Sequence, residues 1–197
     1  MKYLSSIVLG KYQFFNRPLR ILLLSNATIL VAGAMLGPIS ALFIEKIGGD
    51  LLDASFAGGI FALAAGVTVL LAGTYTDKIK EKELVVVFGY LTVGIGFLLY
   101  TLVNSVWFLL TVQVLVGFGE AIYAPAFDAT YSKHLDKGKT GKEWGAWESA
   151  NYFSVAIGAL GGGFIVTNLG FTALFLIMSF LCFASATYIY HLPRKIL

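Results

Sequence analysis

Three carboxylates stand inside long apolar runs of this chain: Glu120 and Asp128 in the run 106–131, and Glu148 in the run 144–167. An ionised side chain in hydrocarbon is expensive, so such residues are functional candidates by default. With a helical rise of 1.5 Å per residue, Glu120 lies about 20 Å along its run, Glu148 about 6 Å, and Asn26 and Asn151 about 10 Å along theirs. Asn26, Glu120, Glu148 and Asn151 are therefore expected in one layer between the membrane midplane and one face. Two carboxyls facing one cavity compete for charge, and such a group can carry a proton or exchange it for a cation. The alternative is that each carboxylate only hydrogen-bonds a neighbouring helix. Asp128, near the end of its run, reads as a partner for Lys78 or Lys82, against a simple interfacial charge. Trp144 and Trp147 open the fifth run and fit an aromatic belt. His134 and His191 have no metal-ligand company, and no phosphate loop or catalytic triad is present. No metal, cofactor or enzymatic chemistry is expected.

The elements that must position these residues follow from composition. The chain is 58% apolar and 13% charged, with a mean hydropathy of +0.82. Soluble domains are nearer a quarter charged, so lipid is the expected solvent. Six runs, at about 19–44, 54–76, 84–103, 106–131, 144–167 and 171–190, are long enough to cross a hydrocarbon core. Their backbones must be satisfied internally, which predicts helices and an all-α integral membrane bundle. Of the 14 Lys and Arg residues, only Lys46 falls on one side of that bundle. Lys2, Lys11, Arg17, Arg20, Lys78, Lys80, Lys82, Lys133, Lys137, Lys139, Lys142, Arg194 and Lys195 fall on the other. The positive-inside rule makes that side cytoplasmic, with both termini there, in the plasma (inner) membrane. The net charge of +3 thus reflects loop asymmetry and no nucleic-acid partner.

Organisation along the chain is simple. Residues 1–18 form an N-terminal segment whose apolar spacing at Leu4, Ile7, Val8, Tyr12 and Phe15 fits an interfacial helix, a frayed tail being the alternative. The six-helix domain spans 19–191 and a cytoplasmic tail 192–197. Topology suggests two trios of helices, the second inverted relative to the first, a 3+3 plan common in transporters. Small residues allow close helix packing or bending, as at Gly33 and Gly37 before Pro38 and at Gly158, Gly162 and Gly163. Cys182, mid-span in the sixth run, reads as lipid-facing or packed.

The loop Gly73-x-x-x-Asp77-Lys78-x-x-x-Lys82 resembles the signature of the major facilitator superfamily between its second and third helices, departing at Lys80 and Glu81. Gln113-x-x-x-Gly117-Phe118-Gly119-Glu120-Ala121 resembles the family's fourth-helix segment, with Gln113 where an arginine stands. Gly145, Ser154, Gly158, Ala159, Gly162 and Gly163 follow the spacing of the family's antiporter signature. The resemblance runs from about Arg17 to Arg194 and corresponds to the amino-terminal half of a twelve-helix member. It implies a half of the major-facilitator fold, alternating access, and a gate at Gly73, Asp77, Lys78, Lys82 and Asp128. In the family the aspartate caps a neighbouring helix end, and on physical grounds Asp77 would favour a helix N-terminus.

The expected function is secondary active transport, with Glu120, Glu148, Asn26, Asn151 and Gln113 serving substrate or proton, and efflux of a small amphipathic solute as the direction. The expected partners are the lipid bilayer and either a second copy in a parallel homodimer or a missing carboxy-terminal half. Two rivals are an amino-terminal fragment inert alone and a non-transporting membrane scaffold.

Overall fold

The computed structural model describes residues 15–193 and 196–197. Most of the expected interfacial segment 1–18 therefore falls outside the described residues, as do Lys2, Lys11, Arg194 and Lys195.

Helix α1 (Arg17–Leu36) starts at Asn16, whose Oδ1 accepts the Leu19 N–H at 3.0 Å, with Pro18 in the first turn where no N–H is needed. Pro38 cannot donate to the ladder, and the chain tightens to a 3₁₀ turn over Gly37–Ile39 before a short helix α2 (Ser40–Lys46). The single run expected over 19–44 is thus a broken helix. Helix α3 (Leu51–Thr76) begins on a reciprocal cap in which Asp50 and Asp53 each accept the other's N–H at 2.9 Å. That cap draws the helix start ahead of the expected residue 54. Helix α4 is Lys82–Tyr100, and α5 (Val106–Lys133) is capped by Ser105.

Helix α6 (Thr140–Tyr190) counts 51 residues, which laid straight would reach about 77 Å. It is not straight. Gly170 has φ 80 and ψ 175, outside the helical region, so two helices, 140–169 and 171–190, meet at one residue. Lys133 Nζ donates to the Leu197 carbonyl at 2.9 Å, which returns the end of the chain to the end of α5. The same end holds Asn16, whose Nδ2 donates to the His134 carbonyl at 2.8 Å. At the opposite end Phe43 packs on Tyr100 and Phe171, with ring centroids 5.8 and 5.2 Å away. The φ/ψ of Gly170 belong to a region nearly closed to side-chain-bearing residues, where strain runs to about 1–3 kcal/mol. Gly170→Ala is therefore expected to lower the thermal unfolding midpoint in detergent; an unchanged midpoint would show that the turn is not confined to that geometry.

Glycines set the helix pairings. Gly158 and Gly162 of α6 meet the α1 backbone, and a Cβ at Gly158 would sit 2.6 Å from the Val31 carbonyl oxygen. A Cβ at Gly117 of α5 would lie 2.6 Å from the Phe61 carbonyl oxygen of α3, and one at Gly89 of α4 would lie 2.8 Å from the Gly119 carbonyl oxygen of α5. Ser179 Oγ donates to the Gly94 carbonyl at 2.8 Å, tying 171–190 to α4 beside the buried Cys182. Cys182 is packed, which decides between the two expectations for it. Helix α3 is the least covered, with only Ala57 and Thr76 buried, leaving Leu51, Phe56, Leu63 and Leu70 exposed. The described residues are helical without strands, and five helical stretches are long and apolar enough to cross a membrane. The molecule is a multi-pass membrane protein, its last apolar stretch folded back at Gly170.

Candidate functional site

The face of α5 that carries Gln113 also carries Glu120, because residues seven apart are two turns apart on one side of a helix. Between them Val116 packs inward, and Pro125, one turn beyond Glu120, cannot supply an N–H to the Ala121 carbonyl. Gln113 and Glu120 line a cleft of about 390 Å³, closed by Ile29 and Gly33 of α1, Phe61 of α3, Phe97 of α4 and Val155 of α6. Tyr100 donates its hydroxyl to Gln113 Oε1 at 3.0 Å. Glu120 is exposed at the mouth. Among the described residues that line the cleft it is the one formal charge.

Asn26 is buried just behind this wall. Its Oδ1 accepts the Tyr90 hydroxyl at 3.2 Å, and Tyr90 stands edge-on to Tyr123, centroids 4.8 Å apart. Tyr123 itself lines the cleft. Asn26 thus supports the cleft through two rings and is not among its lining residues. Glu148 and Asn151 are not among them either. They share a helix face with Val155, which is, but Glu148 sits about 10 Å further along α6. The expected layer therefore divides: Gln113 and Glu120 are brought together, Asn26 stands one shell away, and Glu148 and Asn151 are displaced along their helix.

The small residues divide too. Gly158 and Gly162 press on α1, whereas a Cβ at Gly33, Gly37, Gly73 or Gly163 would meet nothing within 4 Å. Gly33 and Gly37 line the cleft, so their lack of side chains widens it and brings no helices together.

At the α3–α4 turn Lys82 Nζ donates to the carbonyls of Thr76 at 2.7 Å and Ile79 at 3.0 Å. Together with the Ile79 N–H, which donates to the Thr76 carbonyl at 3.2 Å, it caps the C-terminal end of α3. Lys78 Nζ lies 5.6 Å from the Tyr75 ring centroid. Neither cation is paired with Asp128, which is exposed on α5. The expected Asp128–lysine contact is thus absent from this conformation, because both ammonium groups are engaged locally. Asp77 also differs from expectation. It occupies the C-cap of α3, the helix end whose dipole opposes a carboxylate, and its side chain is exposed.

One polar cluster was not anticipated from sequence. Asn16 Nδ2 donates to the His134 carbonyl at 2.8 Å and to Asp136 Oδ1 at 3.2 Å, while Lys139 pairs with Asp136 Oδ2 at 2.9 Å. Glu143, wholly buried, accepts the Asp136 N–H at 2.8 Å, and its own carbonyl accepts the Tyr131 hydroxyl. The hydrogen bond from Lys139, and then that from Asn16, hold the Asp136 carboxyl below its ordinary value. A lowered value stabilises the clasp above the ordinary carboxylate range, and that contribution is lost as pH falls through the folded value. Two signals for the cluster were present: Asn before Arg-Pro as an N-cap, and an acid in the first turn of α6. Asn16→Ala removes the cap and both loop contacts and is expected to destabilise the fold by about 1–2 kcal/mol. A thermal melt in detergent measures this, and no shift would mean that the loop is held elsewhere.

The family model described as Major Facilitator Superfamily matches residues 22–195. An uncharacterized MFS-type transporter of Methanocaldococcus jannaschii is 26% identical over 158 residues, 80% of this chain and 41% of the relative. The multidrug resistance protein MdtG of Dickeya zeae is 25% identical over 171 residues, covering 85% of this chain and 42% of the relative. MdtG of Proteus mirabilis is 24% identical over 173 residues, with the same shares of 85% and 42%. The chain spans about two fifths of the length of these curated relatives.

Proposed function

This chain belongs to the Major Facilitator Superfamily, a grouping of transporters and not of enzymes, and on that premise we propose that it forms one half of a secondary transporter working by alternating access. The observation that carries this reading is the cleft, open on one side of the bundle, with a carboxylate at its mouth. A wall of this kind needs a second wall opposite it.

In this reading the chain crosses the membrane six times, as two inverted trios. Support comes from the helix pairings. Counting the two parts of α6 separately, the first crossing packs on the fifth, the second on the fourth, and the third on both the fourth and the sixth. Exchanging the trios, first for fourth and second for fifth, turns the first–fifth pairing into the second–fourth and leaves the third–sixth unchanged. The ends that carry Asn16, Lys133 and Leu197 would face the cytoplasm, in the cell membrane.

The second wall is either another copy of this chain in a parallel dimer or a carboxy-terminal half. The coverage of about two fifths of each relative favours the latter, and the preference of oligomers for two-fold closure favours the former. Glu120 would serve as the proton-carrying group, with Gln113 beside it and Asn26 behind. Glu148 and Asn151 would sit on the path by which solute enters from the cytoplasm. Asp77, Lys78, Lys82 and Asp128 would form the gate, re-pairing when the second wall closes. The multidrug names of the MdtG relatives support efflux of a small amphipathic solute.

Reconstitution into proteoliposomes with an imposed proton gradient tests this. Solute flux by the chain alone supports the dimer, and crosslinking in native membrane would show a like pair. Flux that appears only when a second six-helix unit is supplied supports the half reading. No flux in either case, with Glu120 replaceable at no cost, would establish the scaffold instead.

A further inference from the structure

We propose that one bound water molecule bridges Glu143 and Trp147 and completes the clasp that holds the 134–139 loop on α6. Two orphaned atoms lead there. Glu143 is wholly buried, and its Oε2 accepts the Asp136 N–H at 2.8 Å, whereas its Oε1 has no hydrogen-bond partner among the described residues. Trp147 Nε1 is buried as well and equally lacks one. A buried polar atom left unpaired forfeits its hydration without return, most severely when the group is charged, so each needs a partner.

Their spacing puts them side by side. Residues four apart on a helix share a face, with Cβ atoms about 5–6 Å apart. The two atoms do not bond each other. Lys139, one turn before Glu143, is committed to Asp136 Oδ2 at 2.9 Å, which leaves Oε1 to another donor. One oxygen atom held by two hydrogen bonds of about 2.7–3.0 Å each spans an interval of this size.

Complementarity names the occupant. The carboxylate oxygen accepts and the indole N–H only donates. A metal ion would meet the N–H hydrogen and one oxygen of the roughly six that a hard cation needs, and an anion would meet the carboxylate. A neutral molecule that donates on one side and accepts on the other satisfies both. Enclosure selects the smallest. Glu143 is 0% exposed, and the Trp144 ring closes one side, its centroid 5.1 Å from that of Tyr131 and 5.9 Å from that of Trp147. Buried water serves polar atoms of this kind. The chain of hydrogen bonds then runs from Asn16 at the N-cap of α1 through Asp136, Glu143 and the water to Trp147 in the second turn of α6. None of these residues lines the cleft beside Glu120, so the site is independent of the transport reading.

Nuclear magnetic resonance on the full chain in detergent micelles, with a heavy nitrogen isotope in its three tryptophan indoles, tests this. Trp147→Phe identifies the Trp147 signal by its loss. In the wild type the Trp147 indole proton is expected to show a cross-relaxation peak to water with the sign of a long-lived contact. Glu143→Met keeps the length of the side chain and removes the acceptor, and the peak is expected to vanish in it. Absence of the peak from the wild type, or a peak that survives Glu143→Met, would overturn the proposal. Should Glu143→Met fail to elute as a folded species, a high-resolution density map of the wild type decides. An ordered oxygen within about 3.2 Å of both atoms supports the bridge; a direct bond between Trp147 and Glu143, or no density between them, ends it.

Discussion

Glu120→Gln is expected to reduce flux driven by a proton gradient to the level of protein-free vesicles, while Glu148→Gln retains most of it. The asymmetry comes from position. Both carboxylates lie in apolar runs, but only Glu120 lines the cleft, and Glu148 stands about 10 Å along α6 from the nearest lining residue, Val155. A carboxylate can couple proton movement to a solute only where both compete for it. The glutamine variant keeps the shape and polarity of the side chain and removes its ability to release a proton. Counterflow, in which labelled solute exchanges without a gradient, separates coupling from binding: it should persist in the variant for a neutral solute and fail for a cationic one. If pH-dependent flux survives Glu120→Gln and disappears in Glu148→Gln, the coupling site lies on α6.

Gly162→Val is expected to cost about 3 kcal/mol of stability or more, the upper part of the range for overpacking, and to lower the yield of folded protein sharply. A Cβ at Gly162 would be driven into the backbone of Met35 on α1, and backbone cannot rotate out of the way as a flexible side chain would. The neighbouring Gly163→Val is the control. No atom lies within 4 Å of the Cβ it would gain, so its effect should stay within about 0.5 kcal/mol, as for substitutions away from packed features. Unfolding midpoints of the two variants in the same detergent give the comparison. Similar midpoints would mean that α1 and α6 can separate without penalty.

That pair of glycines shows what could be read before the structure. The spacing of four at Gly33 and Gly37 is the same as at Gly158 and Gly162, and small-residue spacing alone says only that a backbone is able to approach. Which pair meets a partner depends on how each helix is rotated, and that is set by all its neighbours together. The helical runs were legible because lipid imposes a length and a composition on every crossing. The break at Pro38 followed from a residue that lacks an N–H. The clasp of Asn16, Asp136 and Glu143 was not legible, since it joins residues 118 to 120 positions apart in the case of Asn16. The lysines of the α3–α4 turn were read by charge, as partners for an acid. Lys82 instead donates to two carbonyls at the turn after α3, a role that charge counting does not register.

The reversal at Gly170 bears on how the protein is made. A turn of one residue leaves no polar segment between 140–169 and 171–190, so nothing there can wait in water while the second helix is being synthesised. The two should enter the bilayer together as a hairpin, after the ribosome has finished both. For the same reason this corner offers no room for an epitope tag, a glycan acceptor or a protease site.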